Sequence, residues 1–284
     1  MKTKELVIVI VILLVVFDAF VWYEIVFHSP TKNTELYFLD VGQGDSELVI
    51  LPGNIKILID GGPDNKALEE LSKILPATDR YIDLVVMSHP QTDHFTGLIS
   101  VLSRYRVGAF LTSGNRGPAK SYADLEKAIA KNKVPVVVLS EGDNIAHGED
   151  RFDILSPDPY LLTSAEPNDW VLVMKLFSNG VRALYNGDID SKIEDALIKK
   201  YDMALDVLKV AHHGSRFSSD ETFLNAARPK ISVIEVGAKN TYGHPTKQTL
   251  DNLASIGSQI FRTDRDGMIK LEVADGRINI FKEK

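Results

Sequence analysis

Cysteine is absent from this chain. Its absence excludes disulfides, thiolate metal ligands and cysteine nucleophiles, so a metal site would need other ligands. A surplus of basic residues is also missing: 32 Lys and Arg stand against 39 Asp and Glu, a formal net charge of -7. A generic basic coat for nucleic acid is therefore not expected, and a phosphate-bearing substrate would have to be held by local charge or by a metal. Gly42 and Gly44 lack the spacing of a dinucleotide-binding fingerprint, which disfavours a nucleotide cofactor.

The sequence does contain enough apolar residues for a full core, 44% of 284, and one long apolar segment at its start. Residues 6–17 are unbroken apolar sequence, and the run resumes after Asp18 and continues, broken again at Glu24, to residue 27. Since roughly 20 helical residues cross a ~30 Å hydrocarbon core, residues 1–28 are predicted to be a transmembrane anchor.

The flanks of this segment predict its orientation. Lys2 and Lys4 precede it, and Trp22 and Tyr23 lie at its far end, so the positive-inside rule predicts a cytoplasmic N-terminus. The protein is then expected in the cell membrane as a single-pass protein with an extracytoplasmic domain. The first alternative is a cleaved signal peptide, which residues 27–30 disfavour because they form no small-residue cleavage site. The second is a buried core helix.

The remaining pattern predicts a linker at residues 29–34 and one mixed α/β domain at residues 35–284, because no second linker is recognisable. Strands and helices alternate in two similar halves, which predicts two sheets packed face to face with helices outside. The predicted helices are residues 67–75, 95–105, 121–131, 192–200, 220–226 and 247–256. The predicted strands are residues 35–41, 47–51, 55–59, 84–87, 107–111, 134–139, 152–155, 171–177, 182–185, 207–211, 231–236 and the terminal pair around 269–271 and 278–280.

Side chains that bind metals are concentrated where predicted strands end. Two imidazoles and a carboxylate lie within six residues directly after the apolar run 84–87, and similar residues follow later strands. The residues concerned are His89, Asp93, His94, Asp188, His212, His213 and His244. Each histidine alone is typical of a polar surface loop, but their recurrence at one expected face of the sheets predicts a metal site.

Six motifs in order resemble the metallo-β-lactamase superfamily, and more closely the extracellular metallohydrolase domain of the ComEC-type competence DNA-uptake family. They are LDVGQGDS at 39–46, SHPQTDH at 88–94, NDW at 168–170, NGD at 186–188, KVAHHGS at 209–215 and YGHP at 242–245. The resemblance extends from about residue 36 to the end. It implies a four-layer αββα sandwich with the metal site at one edge, between the two sheets.

The resemblance also implies roles for individual residues. His89 would bind a first metal, Asp93 and His94 a second, and Asp188 would bridge them. Either His212 or His213 would complete the second site, with His213 favoured because glycine follows it. His244 would support a ligand or contact substrate, with exchange of these roles left open, and Asp60 would orient a ligand histidine.

Two departures from the family pattern weaken the first metal site. Gln91 stands where relatives have histidine or aspartate, and it is a neutral, weaker ligand. Asn168 holds the position of the usual third histidine, and the one histidine between His94 and Asp188 is His147, in a predicted glycine-flanked turn. The cofactor is therefore expected to be one or two divalent ions, zinc or manganese.

These ligands predict metal-dependent hydrolysis, since a divalent cation activates bound water and polarises the oxygen under attack. Asp93 or Asp188 would orient the water, and His213 or His244 would protonate the leaving oxygen. The predicted substrate contacts are Asp45, Asn168, Lys209, Ser215, Arg216 and His244.

The expected function is a membrane-anchored extracytoplasmic phosphodiesterase or nuclease acting on DNA or a related phosphodiester. Because the sequence contains one span, transport itself is not expected, although assistance to a separate DNA-uptake channel is an open interpretation. The alternatives are hydrolysis of another external substrate, such as a phosphocholine ester or a lactam, and a metal-binding module of low activity, which Gln91 supports. The oligomeric state is not predicted.

Overall fold

A computed structural model describes residues 3–27 and 32–284. Residues 28–30, which disfavour signal-peptide cleavage, and residues 29–31 of the predicted linker lie outside the described residues, as does Lys2. Thr34, assigned to the linker from the sequence, already belongs to the first strand.

The helices and strands are numbered here in chain order. The helices are α1 (Thr3–Phe27), α2 (Lys66–Ile74), α3 (Thr92–Arg104), α4 (Tyr122–Asn132), α5 (Ser191–Lys200), α6 (Glu221–Ala227), α7 (Lys247–Ser255) and α8 (Thr263–Asp266). The strands are β1 (Thr34–Phe38), β2 (Glu47–Leu51), β3 (Ile55–Ile59), β4 (Tyr81–Val86), β5 (Arg106–Thr112), β6 (Val136–Val138), β7 (Asn144–His147), β8 (Asp150–Ser156), β9 (Val173–Ser178), β10 (Val181–Tyr185), β11 (Val207–Lys209), β12 (Ile231–Ile234), β13 (Gln259–Arg262), β14 (Ile269–Ala274) and β15 (Arg277–Lys282).

Helix α1 contains one segment, Lys4–Trp22, that is long and apolar enough to cross a membrane. No residue of that segment is buried, so the alternative of a buried core helix is wrong. Its position near the N-terminus suits either an anchor or a signal sequence, because both pass the same test of length and composition.

Strands β1 to β15 form two sheets. The first has eight strands in the order β15-β14-β1-β2-β3-β4-β5-β6, and the second has seven in the order β13-β12-β11-β10-β9-β8-β7. In the first sheet β3 to β6 run parallel, and in the second β10 to β13 run parallel. The C-terminal hairpin β14–β15 returns to the first sheet by pairing with β1, so the two halves of the chain are interlocked.

The sheets pack face to face with helices on both outer surfaces, as the sequence predicts. One apolar cluster fills the space between the sheets and includes Phe38, Phe152 and Tyr185. A second lies between the first sheet and helices α2 to α4, and a third lies between the second sheet and helices α5 to α7. The four-layer αββα prediction is therefore confirmed.

Several local predictions were wrong. Residues 144–147, predicted as a turn around His147, form strand β7 at a sheet edge, and β13 had no predicted counterpart. Both strands are short and lack a clear apolar alternation, which is the main sequence signal for a strand. Helix α3 begins at Thr92, so Asp93 and His94 lie in its first turn and not in the preceding loop.

Candidate metal centre

The candidate site lies at one edge of the sandwich, where parallel strands of both sheets end. Asp60 follows β3 and His89 follows β4 in the first sheet, while Asp188 follows β10 and His213 follows β11 in the second. Because parallel strands present their carboxyl ends at the same edge, residues distant in sequence converge there.

Close backbone contacts bring the start of helix α3 to this edge. Gly61 N–H donates to the carbonyl oxygen of His94 at 2.6 Å. A Cβ atom at Gly97 would lie 1.8 Å from the carbonyl oxygen of Gly61, so only glycine permits this approach. The first turn of α3 is thereby fixed with Asp93 and His94 directed at the second sheet.

Asp60 holds His94 from behind. Its carboxylate accepts from Ser88 N–H at 2.8 Å and lies 2.8 Å from His94 Nδ1. The Ser88 hydroxyl also donates to Asp60, at 2.5 Å. A carboxylate bound to one imidazole nitrogen fixes the ring and leaves the other nitrogen free to bind a metal.

A strained turn presents His213 from the second sheet. His212 and His213 have φ of 51° and 54°, and Gly214 follows with φ of 81°. Left-handed conformations at two consecutive non-glycine residues are costly and occur mainly at functional sites. The turn places His213 Nδ1 2.9 Å from the carbonyl oxygen of Glu235, which fixes this ring as Asp60 fixes that of His94.

Four side chains meet between these supports: Asp93, His94, Asp188 and His213. Their donor atoms lie within 4.8 Å of one another. Asp188 Oδ2 is 3.4 Å from His94 Nε2 and 3.7 Å from His213 Nε2, which is in turn 3.5 Å from Asp93 Oδ2. His94 Nε2, His213 Nε2 and Asp188 Oδ1 are buried without a hydrogen-bond partner. Two imidazoles and two carboxylates with free donor atoms fit a divalent cation.

The charges of this cluster depend on one another. Burial opposes the ionisation of Asp188, but His213 and His94 outweigh it and hold the pKa of Asp188 well below its usual value. Burial also opposes the charge on His213, but Asp188 and Asp45 raise its pKa to about 10. The carboxylates likewise raise the pKa of His94, so positive charge is favoured among these side chains, and a bound divalent cation would supply it in place of protons.

The first metal site that the resemblance implies has few side chains available as ligands. His89 Nε2 is buried without a partner, and burial and the nearby His94 lower the pKa of His89 to about 3. Asp60 could join His89 and His94 as a third ligand, but its carboxylate is already bound to Ser88 and His94. Gln91 Nε2 donates to Asn168 Oδ1 at 2.6 Å, so these two amides bind each other.

Asp45 and Lys209 lie beneath the cluster. Both side chains are at most 1% exposed, and the Lys209 ammonium donates to the Asp45 carboxylate. Asp45 Oδ1 also lies 3.2 Å from His213 Nδ1. Their role as substrate contacts stays a prediction, and the geometry favours a support for His213 instead, because neither charge reaches the surface.

Two buried glutamates near this pair were missed by sequence reasoning. Glu47 and Glu235 are 2% and 0% exposed and form an acidic group with Asp45. Burial and the neighbouring Asp45 raise the pKa of Glu47 to about 8. The sequence signal for Glu235 was a charged residue near the end of the otherwise largely apolar predicted strand 231–236.

A cavity of about 410 Å³ opens beside the cluster. His212 Nε2, at its inner end, is 3.8 Å from Asp188 Oδ2. Burial and the neighbouring His212 lower the pKa of His244, whose Nδ1 is buried and unpartnered. The cavity is lined by His212, Ser215, Arg216, Phe217, Tyr242, His244 and Thr246.

A larger cavity, of about 810 Å³, lies at the opposite edge, between the β2–β3, β7–β8 and β9–β10 turns. His147 is one of its lining residues. None of the groups of metal-binding side chains found among the described residues lies there. Chemistry rather than volume therefore distinguishes the candidate site.

Comparison with known proteins agrees with this geometry. The chain is 26% identical over 261 residues to ComE operon protein 3 of Bacillus subtilis (strain 168), covering 84% of this chain and 33% of that protein. It is 27% identical over 261 residues to the competence protein ComA of Neisseria gonorrhoeae, covering 89% of this chain and 35% of that protein. The chain thus spans about a third of the length of these relatives. The predicted resemblance to competence proteins is confirmed.

A solved diphosphatase of the PhnP family shares the fold, with a TM-score of 0.52 and 17% identity over 85% of this chain and 99% of that one. The model of the metallo-beta-lactamase superfamily matches residues 39–237, from the first motif to the strand end that carries Glu235. This match covers most of the sandwich and all four residues of the cluster, and the fold of this superfamily binds divalent metals. The chain therefore belongs to the metallo-beta-lactamase superfamily of hydrolases.

Proposed function

We propose that this protein is a metal-dependent phosphodiesterase or nuclease that acts on DNA or a related phosphodiester. The observation that carries the proposal is the cluster of Asp93, His94, Asp188 and His213, whose donor atoms lie within 4.8 Å of one another. His212, 3.8 Å from Asp188, connects this cluster to the neighbouring cavity. Arg216 lines this cavity and is a suitable partner for a phosphate in a chain that is otherwise acidic. Similarity to competence proteins and to a diphosphatase supports a phosphate ester as substrate.

In this proposal the four residues hold one divalent cation. Such a cation, when bound, lowers the pKa of water and polarises the oxygen under attack. Asp60 and the carbonyl oxygen of Glu235 keep the Nε2 atoms of the two histidines directed into the cluster. Asp93, the more exposed of the two carboxylates, orients the attacking water.

The leaving oxygen needs a proton, and we assign its donor to His244. His213 Nδ1 contacts the carbonyl oxygen of Glu235 and its Nε2 would bind the metal, so His213 is poorly placed for this role. His244 lines the cavity with its Nδ1 free and lies next to His212, with ring centroids 6.0 Å apart. Ser215 and Arg216 would contact the substrate from the same wall.

We further propose that α1 anchors the protein in the cell membrane, with residues 35–284 as an extracytoplasmic hydrolase domain. Lys2 and Lys4 support this orientation through the positive-inside rule. A separate DNA-uptake channel is the partner that the competence relatives suggest. Recovery of secreted protein with a mature N-terminus beyond Ser29 would replace the anchor with a cleaved signal peptide.

One observation favours a second candidate, a metal-binding module of low activity. Gln91 donates to Asn168 at 2.6 Å, and the superfamily resemblance implies metal ligands at these two positions. Because the two side chains bind each other, the first metal site lacks ligands from both positions.

The test uses the full chain in detergent with manganese or zinc. Its substrates are single-stranded DNA, double-stranded DNA, bis(p-nitrophenyl) phosphate, a phosphocholine ester and a lactam. We expect metal-dependent hydrolysis of phosphodiesters, lost in Asp93→Asn/Asp188→Asn and retained in the control Asp275→Asn, which changes an exposed aspartate in the β14–β15 turn. Activity that survives the double substitution would refute the mechanism. Bound metal without hydrolysis of any substrate would favour the low-activity module.

A further inference from the structure

Two large aromatic side chains are exposed at the rim of the cavity beside the metal centre. Phe217 is 60% exposed and Tyr242 is 70% exposed, although both are apolar enough for burial to be favourable. They come from different loops, one just after the turn that carries His213 and the other just before His244. Exposed rings that line the same cavity are typical of a binding surface.

The rings form a continuous path toward the cluster. Tyr242 stacks on His244, with centroids 5.9 Å apart and an interplanar angle of 15°. His244 lies 6.0 Å from His212, whose Nε2 is 3.8 Å from Asp188. The Arg216 guanidinium, which lines the same cavity, lies 4.8 Å from the centre of the Phe217 ring. A planar ligand on Tyr242 is therefore separated from Asp188 by the side chains of His244 and His212.

We propose that Tyr242 and Phe217 form a clamp for unpaired nucleobases, with Arg216 holding the intervening phosphate. The proposal rests on the proposed phosphodiesterase function and adds its substrate class, a nucleic-acid strand with unstacked bases. Every base has a flat face that stacks on an aromatic side chain whatever the sequence. Bases inside a duplex already stack on one another, so the clamp would select single strands or frayed ends.

Insertion of these rings into a lipid surface is the competing interpretation, and the chain path disfavours it. The segment that follows α1 enters the sandwich at Thr34, and β1 then runs toward the site. The rim with Phe217 and Tyr242 therefore lies at the edge opposite to the entry point.

The experiment measures binding and cleavage of fluorescent oligonucleotides by the full chain in detergent. One oligonucleotide is single-stranded DNA, and a second has the same length and phosphates but carries an abasic stretch. The variants Tyr242→Leu and Phe217→Leu remove a ring while keeping an apolar side chain, and Tyr242→Trp retains stacking. Tyr81→Leu is the matched control, because Tyr81 is an exposed tyrosine, 42% accessible, at the opposite end of β4.

We expect the wild type to bind the normal strand at least about 10-fold more tightly than the abasic strand. Each leucine variant should raise the Kd for the normal strand by about 10-fold and leave that for the abasic strand unchanged. Tyr242→Trp and Tyr81→Leu should behave as wild type.

The clamp would be refuted if the protein hydrolysed both strands and bound them with equal Kd, or if the leucine variants bound the normal strand as the wild type does. Either result would leave the phosphodiesterase proposal intact. Base-dependent binding that the variants weaken, without cleavage of any phosphodiester, would refute the proposed activity and support the clamp. Binding of the protein to lipid vesicles that the leucine variants abolish, without any base dependence, would replace the clamp with membrane insertion.

Discussion

Replacing Lys209 with methionine tests whether this residue supports the site from within or contacts substrate. Its ammonium group is buried, bonds to the Asp45 carboxylate, and donates to the carbonyl oxygen of Gly187 at 3.3 Å. Burial opposes the charge on Lys209, but Asp45 and the nearby Asp188 outweigh burial and raise its pKa. Lys209→Met would remove the strongest positive partner of the buried Asp45 carboxylate behind His213.

Removing one partner of a buried ion pair costs about 3–5 kcal/mol. For a domain of this size, that loss lowers the Tm by about 6–20 °C. Replacing both partners, as in Asp45→Asn/Lys209→Met, should recover most of the loss because no unpaired charge remains. The free energy of unfolding is measured in urea for the wild type, both single variants and the double variant, and KM is measured on the same preparations.

A Lys209→Met variant with unchanged stability and a raised KM would refute this reasoning. It would show that Lys209 contacts the substrate phosphate, as the sequence predicts, and that its ion pair with Asp45 breaks when substrate binds.

Three further predictions follow from contacts around the site and in the core. Asp60→Asn should lower the affinity for the catalytic metal by about 10–100-fold, because an amide holds the His94 ring less firmly, and titration with manganese or zinc measures this. Burial raises the pKa of Glu194 to about 8, so between about pH 5 and pH 8 the folded wild type retains a proton that the unfolded chain releases. The free energy of unfolding of the wild type should therefore fall by about 1.4 kcal/mol per pH unit across this range. Glu194→Gln lacks this loss and should become more stable than the wild type as the pH rises. Equal pH dependence of the two proteins in urea unfolding would contradict this assignment. Gly97→Ala should lower the yield of folded protein and the Tm, since its Cβ would lie 1.8 Å from the carbonyl oxygen of Gly61, and an unchanged melting curve would show that α3 can move away from β3.

The sequence predicted the architecture well because most strands are short apolar runs that end at polar or glycine-rich loops. Residues 55–59, of which four are apolar, form β3 within the predicted bounds, for example. Strands β7 and β13 were missed since each has four residues of which only two are apolar, and pairing with neighbouring strands makes them strands. Contacts between distant segments decide such elements, and a single sequence does not display them.

The residues of the candidate site were identifiable by chemical type, but their arrangement was not. The spacing of His212 and His213 left either as the ligand, and only the left-handed turn shows that His213 points into the cluster with Asp188 while His212 faces the cavity. The bond between Gln91 and Asn168 joins positions 77 residues apart and could not be read from either motif. Tertiary geometry thus decides which histidine faces the cluster and pairs the two amides with each other.

The central claim is that Asp93, His94, Asp188 and His213 together hold one divalent cation. The most direct measurement is the number of zinc or manganese ions bound per chain, determined by elemental analysis of the full-length protein in detergent after removal of free metal. The account predicts one ion per chain in the wild type, one in the Gln91→Ala variant, and none in Asp93→Asn/Asp188→Asn. Two ions per wild-type chain, or an ion retained in the double variant, would contradict it.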